Sequence, residues 1–121
     1  MFIQTEPTPN PNSMKFIPDG LEVAGNHITE YKNKEQALGK SKLAEKLFQV
    51  SGVDSIFFGS DFITVNKFDG KNWLEMKTEI LTTIMDFFIP FKILIYSLIA
   101  YILNRILLLK LRIQFELTKI S

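Results

Sequence analysis

The composition of the chain changes abruptly after residue 88, and this change disfavours a single domain that spans the whole chain. All six glycines, and all aspartates and valines, precede the break, whereas both arginines follow it. Residues 1–88 carry a net charge of −3, and residues 89–121 carry +4. We therefore expect two unlike parts: a small folded domain over residues 1–88 and a basic, apolar tail over residues 89–121. A domain of about 88 residues can fold alone, although it buries a modest share of its surface.

Several functional classes are disfavoured by the composition and by the N-terminus. The chain contains no cysteine, so no disulfide framework is possible and nothing points to secretion. The first residues, MFIQTE, lack both the basic start and apolar run of a signal peptide and the arginines of a transit peptide. We therefore expect a cytosolic protein. A mildly acidic domain also lacks the basic footprint that nucleic acid requires, so no nucleic-acid partner is expected.

Four strands are predicted from short apolar or alternating segments, at Phe2–Thr5, Met14–Ile17, Val53–Phe58 and Phe62–Phe68. The segment Thr8–Ser13 between the first two contains two prolines and cannot be helical, so it is predicted to be a rigid connection. Residues 21–34 are ambiguous, with hints of extended structure around His27–Tyr31.

Two helices are predicted in the domain. Residues 41–50 place apolar side chains at helical spacing, with Ser41 as the N-cap and Gly52 ending the helix. A longer helix is predicted over Trp73–Phe88, with Asn72 as its cap. The element order is therefore β-β-α-β-β-α. This order predicts an α+β fold of two layers, an antiparallel four-stranded sheet covered by two helices, followed by a hydrophobic C-terminal helical tail.

Two long segments resemble the Nfu/NifU-like iron–sulfur scaffold family. Residues 2–18, FIQTEPTPNPNSMKFIP, resemble the opening of its N-terminal domain. Residues 53–65, VDSIFFGSDFITV, resemble its central hairpin, and Trp73 with residues 84–88, IMDFF, resembles its closing helix. The resemblance covers residues 1–88 and stops there. In the family, a second domain follows and carries the Cys-x-x-Cys motif that binds the cluster.

The resemblance implies a role in iron–sulfur cluster assembly and transfer, but it supplies no cluster ligand. Cluster irons are held mainly by cysteine thiolates, and this chain has none. We therefore expect a non-catalytic domain that contacts client or assembly proteins, binds no cluster or other cofactor, and is a monomer. The alternative is a truncated, decayed scaffold fragment without activity.

The tail contains eight Ile and eight Leu in residues 89–121, together with other residues encoded by A/T-rich codons. One interpretation is out-of-frame translation of an A/T-rich gene. The other is a helix with affinity for membranes. The uncharged run Ile93–Asn104 is shorter than the roughly 20 residues of a typical span, although Lys92 and Lys110 could flank an imperfect span of about 17 residues, the lower limit. Arg105, Arg112 and Lys119 recur every seven residues, which favours a helix lying on a membrane surface, or on the domain, over one that crosses the membrane.

Individual residues predict neither a catalytic nor a metal site. His27 is the single histidine; Glu22 and Glu30 are near it in sequence, but one histidine with scattered glutamates is common on protein surfaces. No serine lies in a nucleophile motif. The aromatic residues Phe57, Phe58, Phe62 and Phe68 are expected to pack in the core rather than to stack on bases. Candidate partner-contact residues are those in the proline-rich connection that have no expected core role: Thr8, Asn10, Asn12 and Ser13. A purely structural turn is the other interpretation of this segment.

Overall fold

The computed structural model describes residues 2–89 and 91–120. The chain forms two compact units, one ending at Phe87 and the other beginning at Phe88. The elements of the described residues are, in chain order, β1 (Ile3–Pro7), β2 (Ser13–Pro18), β3 (Thr29–Tyr31), α1 (Lys34–Ala37), α2 (Lys42–Phe48), β4 (Val53–Phe58), β5 (Ile63–Lys67), α3 (Trp73–Phe88) and α4 (Phe91–Ile120). The predicted α+β class and the predicted C-terminal helix are both confirmed.

The sheet has five strands in the order β1-β2-β5-β4-β3, and every neighbouring pair is antiparallel. The prediction of four strands was wrong because it omitted β3. Its three residues are too few for an alternating pattern to be recognised. They become a strand because the outer edge of β4 offers backbone partners, which pair Thr29 with Phe58 and Tyr31 with Ile56. The buried Tyr31 ring also packs edge-on against Phe58, with ring centroids 5.7 Å apart.

The helix α1 was also absent from the predicted order. It has four residues and begins after Asn33, whose side-chain oxygen accepts a hydrogen bond from the Gln36 backbone N–H at 2.9 Å. Its one buried side chain is that of Ala37. Such a short helix has no apolar stripe, and isolated helices of this length are unstable in water. Packing and the Asn33 cap therefore decide its formation.

The two longer helices of the domain form where the apolar period predicts them, and their caps act as expected. Ser41 precedes α2 and accepts a hydrogen bond from the Ala44 backbone N–H at 3.1 Å. Asn72 precedes α3 and accepts one from the Leu74 N–H at 2.9 Å. Each cap satisfies a backbone N–H that has no partner within the helix itself.

The core lies against one face of the sheet. The fully buried Phe16 pairs with Ile63, and the fully buried Ile56 pairs with Val65. Ile63 and Val65 stand two residues apart on β5, so all four side chains share this face. The helices supply the other half of the core through a set of fully buried side chains, Ala37, Ala44, Leu47, Ile80 and Ile84. The opposite face of the sheet carries more polar side chains, among them Lys15, Thr64, Asn66 and Glu30.

The four phenylalanines expected in the core differ in their environments. Phe58 is buried, which confirms that expectation for this residue. Phe57 and Phe62 are half-buried with ring centroids 5.9 Å apart, and the Lys15 ammonium lies 4.2 Å from the Phe62 ring centroid. Phe68 is 51% exposed, so the expectation was wrong for this side chain. It follows the end of β5, where the alternation of the strand no longer determines burial.

The helix α4, considered by itself, runs unbroken over 30 residues. All its side chains from Leu94 to Ile120 are exposed. By length and composition, the segment Leu94–Ile120 is long and apolar enough to cross a membrane, with a mean hydropathy of 1.7 over a stretch of 18 residues within it.

Candidate partner-binding surface

Three of the four predicted contact residues, Thr8, Asn10 and Asn12, lie in the loop that joins β1 to β2, and the fourth, Ser13, is the first residue of β2. Thr8 Oγ1 donates a hydrogen bond to the Asn10 carbonyl at 2.9 Å and accepts one from the Asn10 N–H at 3.2 Å. Asn10 Oδ1 in turn accepts from the Asn12 N–H at 2.9 Å, and the Ser13 N–H donates to the Asn10 carbonyl at 3.0 Å. Asparagine side chains stabilise turns in this way, and the two prolines restrict the remaining backbone freedom. The loop therefore has a fixed shape.

Asn12 attaches this loop to the turn between β5 and α3. Its side-chain oxygen accepts a hydrogen bond from Lys67 Nζ at 2.9 Å, and its side-chain nitrogen donates to Asp69 Oδ1 at 3.1 Å. Its backbone carbonyl also accepts from the Lys67 N–H at 2.8 Å. One amide group thus links a cation and an anion 55 and 57 residues away in the chain.

Trp73 makes a second link from α3 to the loop. Its indole Nε1 donates a hydrogen bond to the Pro11 carbonyl at 2.9 Å, and the Lys67 ammonium lies 6.0 Å from its ring centroid. From the sequence, Trp73 was expected in this helix and in the segment that resembles the family, but no partner was predicted for its indole N–H. The missed signal is the indole N–H, which usually finds a hydrogen-bond partner when tryptophan is partly buried.

Ser13 is engaged in the sheet rather than presented by the loop. Its hydroxyl donates a hydrogen bond to Asn66 Oδ1, and Asn66 Nδ2 donates to Ser55 Oγ at 2.8 Å. This row of polar groups runs across β2, β5 and β4 on the polar face of the sheet. Of the four predicted residues, Asn10 is exposed, whereas Thr8, Asn12 and Ser13 are half-buried and hydrogen-bonded within the domain.

Exposed apolar residues stand next in the chain to the residues that hold the fixed loop. Phe68, which stands in the chain between Lys67 and Asp69, is 51% exposed, and Leu74, which follows Trp73, is 82% exposed. Pro9 and Pro11 are exposed as well. We call the exposed residues Pro9, Asn10, Pro11, Phe68 and Leu74 the loop-end surface. Exposed apolar groups held by a rigid, hydrogen-bonded support are typical of protein-binding sites.

The residues do not fit an iron–sulfur cluster as ligands. The chain has no thiolate to offer the cluster, and thiolates are its usual ligands. His27 is exposed in the loop before β3. Within residues 2–89 and 91–120, no three His, Asp or Glu side chains form a group that could hold a metal ion.

Comparison with known proteins gives a consistent result. The family described as scaffold protein Nfu/NifU N terminal matches residues 3–90. The chain is 51% identical over 89 residues to the NFU1 iron-sulfur cluster scaffold homolog, mitochondrial, of Drosophila ananassae, and 50% identical over 88 residues to that of Drosophila persimilis. These matches cover 73% of this chain, but only 30% and 31% of the relatives' lengths.

Solved structures resemble the domain as well. A NifU-like protein from Saccharomyces cerevisiae, solved by NMR, has a TM-score of 0.62 and 33% sequence identity, covering 70% of this chain and 76% of its own. A Staphylococcus aureus protein solved by X-ray crystallography has a TM-score of 0.60 and 27% identity, covering 69% of this chain and 99% of its own.

The expected cytosolic location is wrong, because the curated relatives are named as mitochondrial proteins. That expectation was drawn from the first residues of the chain. The chain corresponds to only 30% of the first relative's length, so its N-terminus gave no valid evidence about targeting.

Proposed function

Since the chain belongs to the Nfu/NifU scaffold family through its N-terminal domain, we propose that this domain is a non-catalytic recognition module in iron–sulfur cluster assembly. It contacts assembly factors or client proteins and acts as a monomer. The observation that carries this proposal is the loop-end surface. Phe68 and Leu74 remain exposed there, although the adjoining loop is fixed by hydrogen bonds to β5 and α3.

In this proposal the cluster is cargo that another polypeptide holds. A chain without thiolates offers a cluster only carboxylates and one imidazole, which are poor substitutes for soft sulfur ligands. After anaerobic incubation of the full chain with iron and sulfide, we expect no stoichiometric iron, no stoichiometric sulfide and no visible cluster absorbance on the desalted protein. A stable chromophore on the purified chain would contradict this part of the proposal.

The recognition role is tested by substitutions on the loop-end surface. Leu74→Asp places a charge on the exposed apolar patch, and a carboxylate in the first turn of a helix does not destabilise that helix. Leu38→Asp is the matched control, because Leu38 is also a highly exposed leucine, at 62%, but follows α1. Fluorescence of Trp73, the single tryptophan, verifies that both variants are folded.

The readout is affinity capture from a mitochondrial extract, with the captured proteins identified by mass spectrometry. We expect the wild-type chain and Leu38→Asp to enrich the same iron–sulfur assembly or cluster-binding proteins. We expect Leu74→Asp to lose most of that enrichment, because burying an unpaired carboxylate in an interface is costly. Equal capture by both variants would exclude the loop-end surface, and enrichment of no iron–sulfur protein by the wild type would exclude the recognition role.

The second candidate is an inactive fragment of a scaffold, as the composition change after residue 88 suggests. It is also consistent with a family match that ends at residue 90, next to the start of α4. The nucleotide sequence tests it directly. A Cys-x-x-Cys coding stretch in another reading frame beyond codon 88 would support decay. Peptides from residues 91–120, detected in the native organism as part of an abundant protein, would count against it.

A further inference from the structure

The helix α4 exposes a large apolar surface that an aqueous environment does not favour. From Leu94 to Ile120 its bulky apolar side chains are between 38% and 82% exposed. Monomeric soluble proteins rarely expose contiguous apolar areas of more than a few hundred Å². A partner or a solvent of low polarity must therefore cover this helix.

Two common explanations for a long apolar helix do not apply here. A core helix of a soluble protein is mostly buried, but none of this apolar window is buried. A secretory signal sequence precedes the domain that it exports, whereas α4 follows a folded domain.

Apolar side chains occupy opposite sides of α4 between Leu94 and Leu109. Residues nine positions apart in a helix point in opposite directions, about 180° from one another. Leu98 and Leu107 are such a pair, and so are Ile99 and Leu108. A helix lying in a membrane surface requires one polar face, whereas a helix that is apolar all round belongs inside a protein core or inside a bilayer. This pattern favours insertion over surface binding.

The charges are distributed as a spanning helix requires. Residues 93–109 contain one charged residue, Arg105, and would extend over about 26 Å as a helix, close to the roughly 30 Å of a hydrocarbon core. Arg105 lies five residues before Lys110, about 7.5 Å along the helix axis. Long arginine side chains bridge distances of this order by extending toward the headgroups.

The last turns of α4 are suited to a lipid headgroup region. Lys110, Arg112 and Lys119 outnumber the single acid Glu116, which pairs with Lys119 at 3.7 Å. A net positive segment beside a span is attracted to anionic lipids. The seven-residue spacing of Arg105, Arg112 and Lys119, which suggested a surface helix, begins within residues 93–109, where opposite faces of the helix are apolar.

We propose that α4 spans a lipid bilayer, with residues 93–109 in the hydrocarbon core and residues 110–120 at one headgroup surface. This inference stands independently of the recognition role. The full chain is synthesised in a cell-free system with phosphatidylcholine vesicles, with and without phosphatidylglycerol, and the vesicles are then floated on a density gradient. We expect the chain to float with the vesicles and to remain bound after washes with concentrated salt and alkaline carbonate.

Paired variants test the location of the span. Leu98→Asp with Ile102→Asp places two charges in the proposed hydrocarbon segment and is expected to reduce the carbonate-resistant fraction roughly tenfold or more. Leu111→Asp with Leu117→Asp makes the same chemical change beyond residue 109 and is expected to retain most of that fraction. The proposal is overturned if the wild-type chain stays soluble, pellets without vesicles or is released by carbonate, or if the two double variants behave alike.

Discussion

Asn12 is expected to contribute more to stability than a typical loop residue. Its amide accepts a hydrogen bond from Lys67 Nζ at 2.9 Å and donates one to Asp69 Oδ1 at 3.1 Å. Hydrogen bonds to charged groups contribute about 1.5–3 kcal/mol each when shielded from water. Here one bond is half-buried and the other exposed, so water replaces much of what is lost. We therefore expect Asn12→Ala to lower the free energy of unfolding by about 1–2 kcal/mol.

The assay is thermal and urea unfolding of the full chain, followed by Trp73 fluorescence and circular dichroism at low protein concentration. For a domain of this size, 1 kcal/mol corresponds to about 4–8 °C, so the midpoint should fall by about 4–16 °C. Trp73 itself contacts the loop through Pro11, so its emission should report the loosened loop directly.

The matched control is Asn26→Ala. Asn26 is an exposed loop asparagine whose side chain makes no hydrogen bond within the part of the chain that the structure describes, and we expect a change in the free energy of unfolding below about 0.5 kcal/mol. The double variant Asn12→Ala with Asp69→Ala should lose less stability than the sum of the two single losses, because each substitution removes the same Asn12–Asp69 hydrogen bond. Equal stabilities for Asn12→Ala and Asn26→Ala would refute the view that this side chain fastens the loop.

Further predictions concern the core and one glycine. Ile80→Ala should lower the free energy of unfolding by about 2–5 kcal/mol, because its side chain is fully buried, whereas Leu74→Ala on the same helix should change it by less than about 0.5 kcal/mol; urea titration of both variants measures the difference. Gly52→Ala should lower the free energy of unfolding by about 1–3 kcal/mol, because the φ of Gly52 is +100° and the added Cβ would lie 2.9 Å from Met76 Sδ. Gly20→Ala, at φ +73° in open space, should cost less, and equal losses for the two glycine variants would show that contact with Met76 has no effect.

The sequence predicted well the strands and helices in which apolar residues recur at regular spacing along the element. The strand β4 occupies the predicted bounds Val53–Phe58, and α3 occupies Trp73–Phe88. In α3 a 3.6-residue period places the apolar side chains on one face, and in β4 Ile56 and Phe58 alternate onto the buried face; burial of these faces stabilises both elements. The caps Ser41 and Asn72 were also predictable, because a cap acts on backbone groups a few residues away.

The candidate surface could be predicted only in part. The prolines and asparagines of residues 8–13 indicated a rigid, non-helical loop, and the structure places one there. No sequence pattern indicated that Asn12 would bond Lys67 and Asp69, or that Trp73 would bond Pro11. It also did not reveal that Phe68 would be exposed. Each of these facts depends on groups that are more than fifty residues apart or on the end of a strand.

By itself, then, the amino-acid sequence determined the family and the longer elements, since these depend on local composition and period. The tertiary structure alone decided that Thr29–Tyr31 forms a fifth strand and that β2 lies beside β5. It also decided which side chains of the proline-rich loop are engaged within the domain and which remain available for a partner. The physical reason is that backbone pairing and side-chain hydrogen bonds between distant segments form only when the fold brings those segments together, and no short stretch of sequence contains both partners.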